Sequence, residues 1–140
     1  MSALGFIRCV HVLFSVLGTG TIASIAIAAR AASRSPPTVS SALLLSLTRW
    51  ASFGLALVFV TGATLDLLAH GEFHEHWWFR LAGLSMLPTG AMLGRMRSLL
   101  RRSESMQERS AAIARTTRFA YASCALVGWL VVLMELRPFG

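Results

Sequence analysis

Residues 70–78, His-Gly-Glu-Phe-His-Glu-His-Trp-Trp, form a short polar stretch at the midpoint of a chain of 140 residues. Two long apolar runs precede this stretch and two follow it, so it predicts a connection between two helical hairpins. It carries three of the 4 histidines of the chain and two of its 6 carboxylates. This stretch, called the histidine bridge below, is therefore the first place to look for a binding site.

The composition is typical of a membrane protein and too apolar for a soluble domain. Hydrophobic residues make up 55% of the chain and charged residues 14%, whereas a soluble domain carries about a quarter charged residues. All 13 positions held by Lys or Arg are Arg, which excludes a lysine Schiff base. Because these arginines flank apolar runs, the net charge of +7 indicates membrane topology, and nucleic acid is not expected as a partner.

The four apolar runs predict an all-α fold, an integral-membrane four-helix bundle made of two transmembrane hairpins. The chain is read as a single domain, residues 1–140, and its predicted spans are residues 6–29, 50–69, 77–95 and 118–136. The first run has 21 residues without a formal charge, from Cys9 to Ala29, which is enough to cross about 30 Å of hydrocarbon. Its many small residues predict that this helix is buried among the others. A cleaved signal peptide is the alternative, although the run is long for a signal core of about 7 to 15 residues.

Proline, glycine and a capping motif predict the breaks between these helices. Pro36-Pro37 predict a non-helical joint from Arg30 to Thr48, and Pro88 predicts a kink in the third span. The pair Gly90-x-x-x-Gly94 predicts close packing of the third helix against a neighbour. Ser105-x-x-Glu108 resembles a capping box, so a helix should start near residue 106.

The distribution of arginines predicts which side of the membrane each joint faces. Ten of the 13 arginines lie in or beside the first and third joints, and the basic segment 95–118 belongs to the third. The remaining three are Arg8, Arg80 and Arg137. Basic residues favour the cytoplasm, so both termini and the histidine bridge should lie outside. The chain is therefore predicted to be a multi-pass protein of the inner membrane, with the lipid bilayer as its immediate partner.

This orientation places several polar residues at the outer side. His11 lies about two turns into the first helix, Asp66 ends the second, Arg80 begins the third, and Glu135 and Arg137 end the fourth. Three interpretations of this outer polar cluster stay open. The charged residues pair with one another, or histidines bind a metal or haem, or the cluster relays protons or transports an ion.

The histidines themselves support more than one interpretation. His70, His74 and His76 are candidate metal ligands because neutral imidazole suits copper, zinc and haem iron, yet such short motifs also occur in plain solvated loops. A histidine inside an apolar run, as at His11, is costly unless it is hydrogen-bonded or ligating. His11 is therefore either a partner in an interhelical hydrogen bond or a ligand or proton carrier.

The remaining motifs and residue types do not indicate a catalytic or metal site. The chain has no P-loop, no Gly-x-Ser-x-Gly and no His-Glu-x-x-His, so no catalytic residue is assigned and the sequence does not predict an enzyme. Cys9 and Cys124 are interpreted as small hydrophobic residues in helix packing. The methionines of the third helix, Met86, Met92 and Met96, are interpreted as packing residues as well.

The first helix resembles a known family. The run Phe6-Ile7-Arg8-Cys9-Val10-His11-Val12-Leu13, followed by Gly18-Thr19-Gly20, resembles the opening of small predicted integral-membrane proteins of uncharacterised function in bacteria. These are similar to the copper-resistance D proteins and, more distantly, to the membrane-bound haem-containing protoporphyrinogen oxidase. Thr61-Gly62 in the second span fits the same pattern. The resemblance implies a four-helix bundle with His11 at the position that ligates haem in the oxidase relatives.

Together, the resemblance and the outer polar cluster predict a bacterial inner-membrane protein that binds haem b or copper in its outer half. The oxidase relatives also use a lysine, which this chain lacks, so their activity is not carried over. A second hypothesis is a non-catalytic accessory or assembly subunit that packs, through its Gly- and Ala-rich faces, against a larger membrane complex or a second copy. A small transporter is the third, and it would need a continuous polar path.

Overall fold

Four α-helices make up the part of the chain that the computed structural model describes, residues 3–34, 37–73, 75–103 and 105–135. Side chains are described for the same residues except 37–40 and 133–135. The helices are α1 Ala3–Ala32, α2 Pro37–Leu68, α3 Trp77–Arg102 and α4 Met106–Glu135. These described residues contain no strand, so the prediction of an all-α chain with four helices is confirmed.

The helices form a ring in chain order. Each helix packs against the next, and α1 closes the ring against α4. Helix α2 also touches α4 across one diagonal, whereas α1 and α3 make no backbone contact over their described residues. Space therefore remains along the α1–α3 diagonal, and it becomes important for the site.

The backbones of α1 and α2 approach closely at a pair of glycines. A Cβ atom on Gly54 would lie 3.4 Å from the Cα atom of Gly18. A side chain larger than a methyl group on Gly54 would therefore press against the backbone of α1. The predicted close-packing pair on α3 does not have this role, since a Cβ on Gly94 would meet no atom within 4 Å and one on Gly90 would only touch the Leu55 side chain at 3.6 Å.

The buried core lies toward the end of the bundle where α1 ends and α2 begins. Its fully buried large side chains come from all four helices: Ile25, Leu44, Leu93, Met96 and Ile113. Toward the opposite end, where α1 begins, fewer side chains are buried. One half of the bundle is therefore densely packed, and the other half has room for a cavity.

Two helix starts follow from local rules. At the start of α4 the Glu108 amide donates to Ser105 Oγ and the Ser105 amide donates to the Glu108 carboxylate, both at 3.2 Å. This reciprocal pair is a capping box, and the predicted helix start at Met106 is confirmed. Helix α2 begins at Pro37, in the first-turn position where the missing N–H of proline costs no hydrogen bond.

The joints are accordingly shorter than predicted. Most of the expected joint from Arg30 to Thr48 is helical, because α1 continues to Ala32 and α2 starts at Pro37. Helix α3 runs through Pro88 to Arg102. The basic segment 95–118 is thus the end of one helix and the start of the next, joined by three residues.

The histidine bridge begins with a helix-terminating turn. The Gly71 amide donates to the Asp66 carbonyl at 2.8 Å and the His70 amide donates to the Leu67 carbonyl at 3.2 Å. These two bonds form a Schellman motif, whose penultimate residue adopts the left-handed conformation that favours glycine. Here that residue is His70, with φ of 54°. The chain therefore reverses at His70 through backbone hydrogen bonds and needs no metal to do so.

The outer surface of the bundle is apolar. Two stretches, Ala3–Ala32 and Ser41–Leu68, are long and apolar enough to cross a membrane, whereas α3 and α4 do not meet that test over their described residues. A core helix of a soluble protein would be mostly buried, but the apolar windows of these two helices are only 28% buried. Helix α1 is consequently not surrounded by the other helices as predicted, because it contacts only α2 and α4.

Candidate functional site

The site is built around His11, on the third turn of α1. Its imidazole Nδ1 lies 2.8 Å from Thr61 Oγ1 on α2. A Cβ atom on the next residue, Gly62, would lie 3.2 Å from Cε1 of the same ring. The Nδ1 and Cε1 atoms of the ring therefore lie against α2, where Gly62 leaves room for them. The interhelical hydrogen bond predicted as one role of His11 is confirmed.

The hydrogen bonds of Thr61 assign the tautomer of His11. The Thr61 hydroxyl also lies 2.7 Å from the Leu57 carbonyl and 3.2 Å from the Val58 carbonyl of its own helix. When it donates to one of these carbonyls, its oxygen accepts from His11, and Nδ1 is then the protonated nitrogen of the ring. In the neutral imidazole Nε2 then holds the lone pair, and this is the arrangement of histidines that bind metals.

The His11 ring also lines a cavity of about 430 Å³. This volume falls within the range of about 300–1,000 Å³ common for ligand pockets. All four helices contribute to its wall, with His11, Ser15 and Thr19 from α1, Val58 from α2, Met86 and Thr89 from α3, and Val127 and Leu130 from α4 among the lining residues. The cavity therefore occupies the loosely packed half of the bundle.

The wall of the cavity is apolar apart from His11 and a few hydroxyl groups. The Ser15 hydroxyl donates to the His11 carbonyl at 2.8 Å, Thr19 donates to the Ser15 carbonyl, and Thr89 donates to the Ser85 carbonyl at 2.9 Å. These hydroxyl hydrogens are thus used within their own helices. Among the described side chains that line the cavity, His11 is the only titratable one.

The cavity opens sideways between α1 and α4. Val12 and Val16 on α1 and Val131 on α4 line it, yet they are 53%, 65% and 55% exposed. An adjoining groove on the outside of α1 shares Val12 and Val16 and is also lined by Arg8. Arg8 therefore lines a groove that adjoins the mouth of the apolar site.

The two described histidines of the bridge, His70 and His76, do not line this cavity. His70 is exposed and serves the turn described above. His76 is also exposed and stacks on Trp78, with ring centroids 5.9 Å apart. His74 lies outside the described residues. Over the described part of the chain, no group of three or more His, Cys, Asp or Glu side chains could hold a metal ion, so a metal site at the bridge is not supported.

The remaining members of the outer polar cluster are only partly described. Asp66 is half-buried in the last turn of α2, and Arg80 is exposed in the first turn of α3. The short bridge brings these two helix ends to the same end of the bundle as His11. Glu135 is the last residue of α4, its side chain is not described, and Arg137 lies outside the described residues.

Cys9 and Cys124 are both free thiols.

Comparisons with family models, with curated proteins and with solved structures found no match to this chain. The site therefore has to be interpreted from its own geometry.

Sequence reasoning located His11 but not its surroundings. Thr61 and Gly62 were noted only as part of a resemblance, and their contact with His11 comes from the register of α1 against α2. The sequence predicts Met86 to be a packing residue, and the structure adds that it lines the cavity. A threonine next to a glycine at mid-helix is a weak clue that a ring from another helix packs there.

Proposed function

We propose that this chain is a bacterial inner-membrane four-helix protein that binds haem b in the cavity beside His11, and that Nε2 of His11 would hold the iron. The observation that carries this proposal is the hydrogen bond between Nδ1 of His11 and Thr61, at 2.8 Å. It orients the ring and leaves the Nε2 lone pair for a metal, as the outer partners of metal-bound histidines do.

The surface of the bundle supports insertion in a membrane. Large apolar side chains are exposed on all four helices, for example Leu13 on α1, Phe59 on α2, Leu84 on α3 and Trp129 on α4. On α3 and α4 this apolar surface ends where the arginines of segment 95–118 begin. Four spans with the basic ends of α3 and α4 in the cytoplasm satisfy both features, and the positive-inside rule then places the histidine bridge outside.

The donor set favours haem b over copper. A copper ion held by protein alone needs several nitrogen or sulfur ligands, and the described residues offer no cluster of three His, Cys, Asp or Glu side chains. Haem needs fewer protein ligands because the porphyrin supplies four nitrogens, and a single histidine holds it in many proteins. The apolar wall suits the faces of a porphyrin, and Arg8 at the mouth suits its carboxylates.

The residues of this chain would bind and orient the haem. His11 would bind the iron, Thr61 would hold the ring in place, and Arg8 would pair with a haem carboxylate at the mouth. The cavity wall would exclude water from the faces of the porphyrin. When bound, haem b supplies one-electron redox chemistry.

Purification in mild detergent tests the haem proposal. The protein should carry haem b, or take it up when haem b is added, as measured by absorbance and by iron and copper analysis. His11→Ala should lose this haem, whereas His76→Ala should keep it because His76 is exposed away from the cavity. A colourless wild-type protein that does not take up added haem b would refute the proposal.

Cysteine labelling tests the orientation. In a chain without Cys9 and Cys124, Glu72→Cys should react with a membrane-impermeant maleimide on intact cells and Ser33→Cys should not. Labelling of Ser33→Cys alone would reverse the proposed topology.

A further inference from the structure

We propose that the sulfur of Met86, on α3, is the second axial ligand of the same iron, so that the site is a histidine–methionine haem site. This inference rests on the proposed haem b function and adds the residue that completes its coordination. The supporting observations are the position of Met86 on the cavity wall, its depth in the bundle, and the roles of the other methionines on α3.

Met86 and His11 lie on opposite sides of the cavity. Both line it, and they belong to α1 and α3, the diagonal pair of helices that make no backbone contact over their described residues. The cavity lies between these two helices, and α2 and α4 complete its wall. A flat ligand that enters this space meets the imidazole on one side and the thioether on the other.

Met86 and His11 also lie at nearly the same depth. His11 lies beside Thr61 of α2. On the other flank of α2, Gly90 lies beside Leu55, and because α2 and α3 are antiparallel, Met86 lies near residue 59. Positions 59 and 61 of one helix differ by about 3 Å along its axis. A planar ligand can therefore be bound by both side chains.

The other methionines of α3 have structural roles that Met86 lacks. Met96 is fully buried in the core at the far end of the bundle, and Met92 accepts a hydrogen bond from Ser123 at 3.4 Å. Methionine in a core fills irregular gaps, yet about 430 Å³ stays open beside Met86. Among the cavity-lining residues whose side chains the structure describes, only His11 and Met86 carry a nitrogen or sulfur donor in the side chain. Histidine with methionine is an established ligand pair for haem iron, and it raises the reduction potential.

The test compares Met86→Leu with wild type and with the matched control Met92→Leu, all loaded with haem b. Leucine conserves volume in an apolar site, so the protein should still fold and hold haem through His11. Wild type and Met92→Leu should give the low-spin spectrum of six-coordinate iron, with the sulfur-to-iron charge-transfer band of a methionine ligand. Met86→Leu should lose that band, become high-spin and show a lower reduction potential. Met86→His should restore a low-spin spectrum without the sulfur band.

The outcomes separate the two proposals. If wild type binds haem b and Met86→Leu has the same spectrum and potential, His11 binds haem without Met86, and this inference alone is refuted. If wild type does not take up haem b, both proposals fail. Loss of the sulfur band in Met86→Leu but not in Met92→Leu supports both.

Discussion

Replacing Thr61 with valine should weaken both the bundle and its haem site. Valine has nearly the shape of threonine but removes the acceptor that lies 2.8 Å from Nδ1 of His11. The carbonyl to which Thr61 donates, that of Leu57, keeps the hydrogen bond of its own helix. The change therefore deletes one interhelical hydrogen bond and little else.

The size of the effect follows from this single bond. Interhelical side-chain hydrogen bonds in membrane proteins contribute on average about 0.6 kcal/mol, and at most about 1.7 kcal/mol. The loss should therefore be about 0.6–1.7 kcal/mol in the free energy of unfolding. Removing the outer partner of a metal-bound histidine typically lowers affinity about 10- to 100-fold, which corresponds to about 1.4–2.8 kcal/mol for haem binding.

Thr64→Val is the matched control, because the Thr64 hydroxyl bonds only to the Val60 carbonyl of its own helix, at 2.8 Å. Unfolding in mixed detergent micelles measures the stability of both variants, and titration with haem b measures their affinity. Equal stability and equal haem affinity for Thr61→Val and Thr64→Val would show that the Thr61 contact does not orient His11.

Three other substitutions test the fold. Gly54→Leu should lower the free energy of unfolding by about 1–3 kcal/mol, because its Cβ would lie 3.4 Å from an α1 backbone carbon. The control Gly94→Leu should not destabilise the protein, because its Cβ has no atom within 4 Å. Equal losses in the two variants would contradict the close approach of α1 and α2 at Gly54. His70→Gly should raise the free energy of unfolding by up to about 1 kcal/mol. A non-glycine residue in the left-handed conformation costs about 1–2 kcal/mol, and the greater flexibility of glycine in the unfolded chain cancels part of the gain from removing that cost. A lower melting temperature for the variant would contradict the left-handed conformation of His70. Ser105→Ala should lower the free energy of unfolding by about 0.5–2 kcal/mol, because it removes the helix cap. The exposed control Ser110→Ala should change that free energy by no more than about 0.5 kcal/mol. Identical denaturation curves for the two variants would rule out a stabilising cap.

Several features of this protein were predictable because they depend on short stretches of chain. The capping box at Ser105 uses hydrogen bonds between residues three apart, so the start of α4 was found from four letters of sequence. The number of helices follows from apolar runs separated by polar joints. The start of α2 at Pro37 is not predicted, because a double proline indicates a break in helical structure. Proline is equally favourable as the first residue of a helix, which is the role of Pro37 here.

The sequence by itself determined that the chain forms four helices, that its arginines gather beside two of the joints, and that one histidine lies inside an apolar helix. The tertiary structure decided which residues meet that histidine. A helix that is apolar on nearly every side can rotate about its axis without a clear penalty in burial, so its pattern does not specify which face meets a neighbour. The Gly18–Gly54 crossing sets that rotation, and it places His11 against Thr61 and on the wall of the cavity that Met86 also lines.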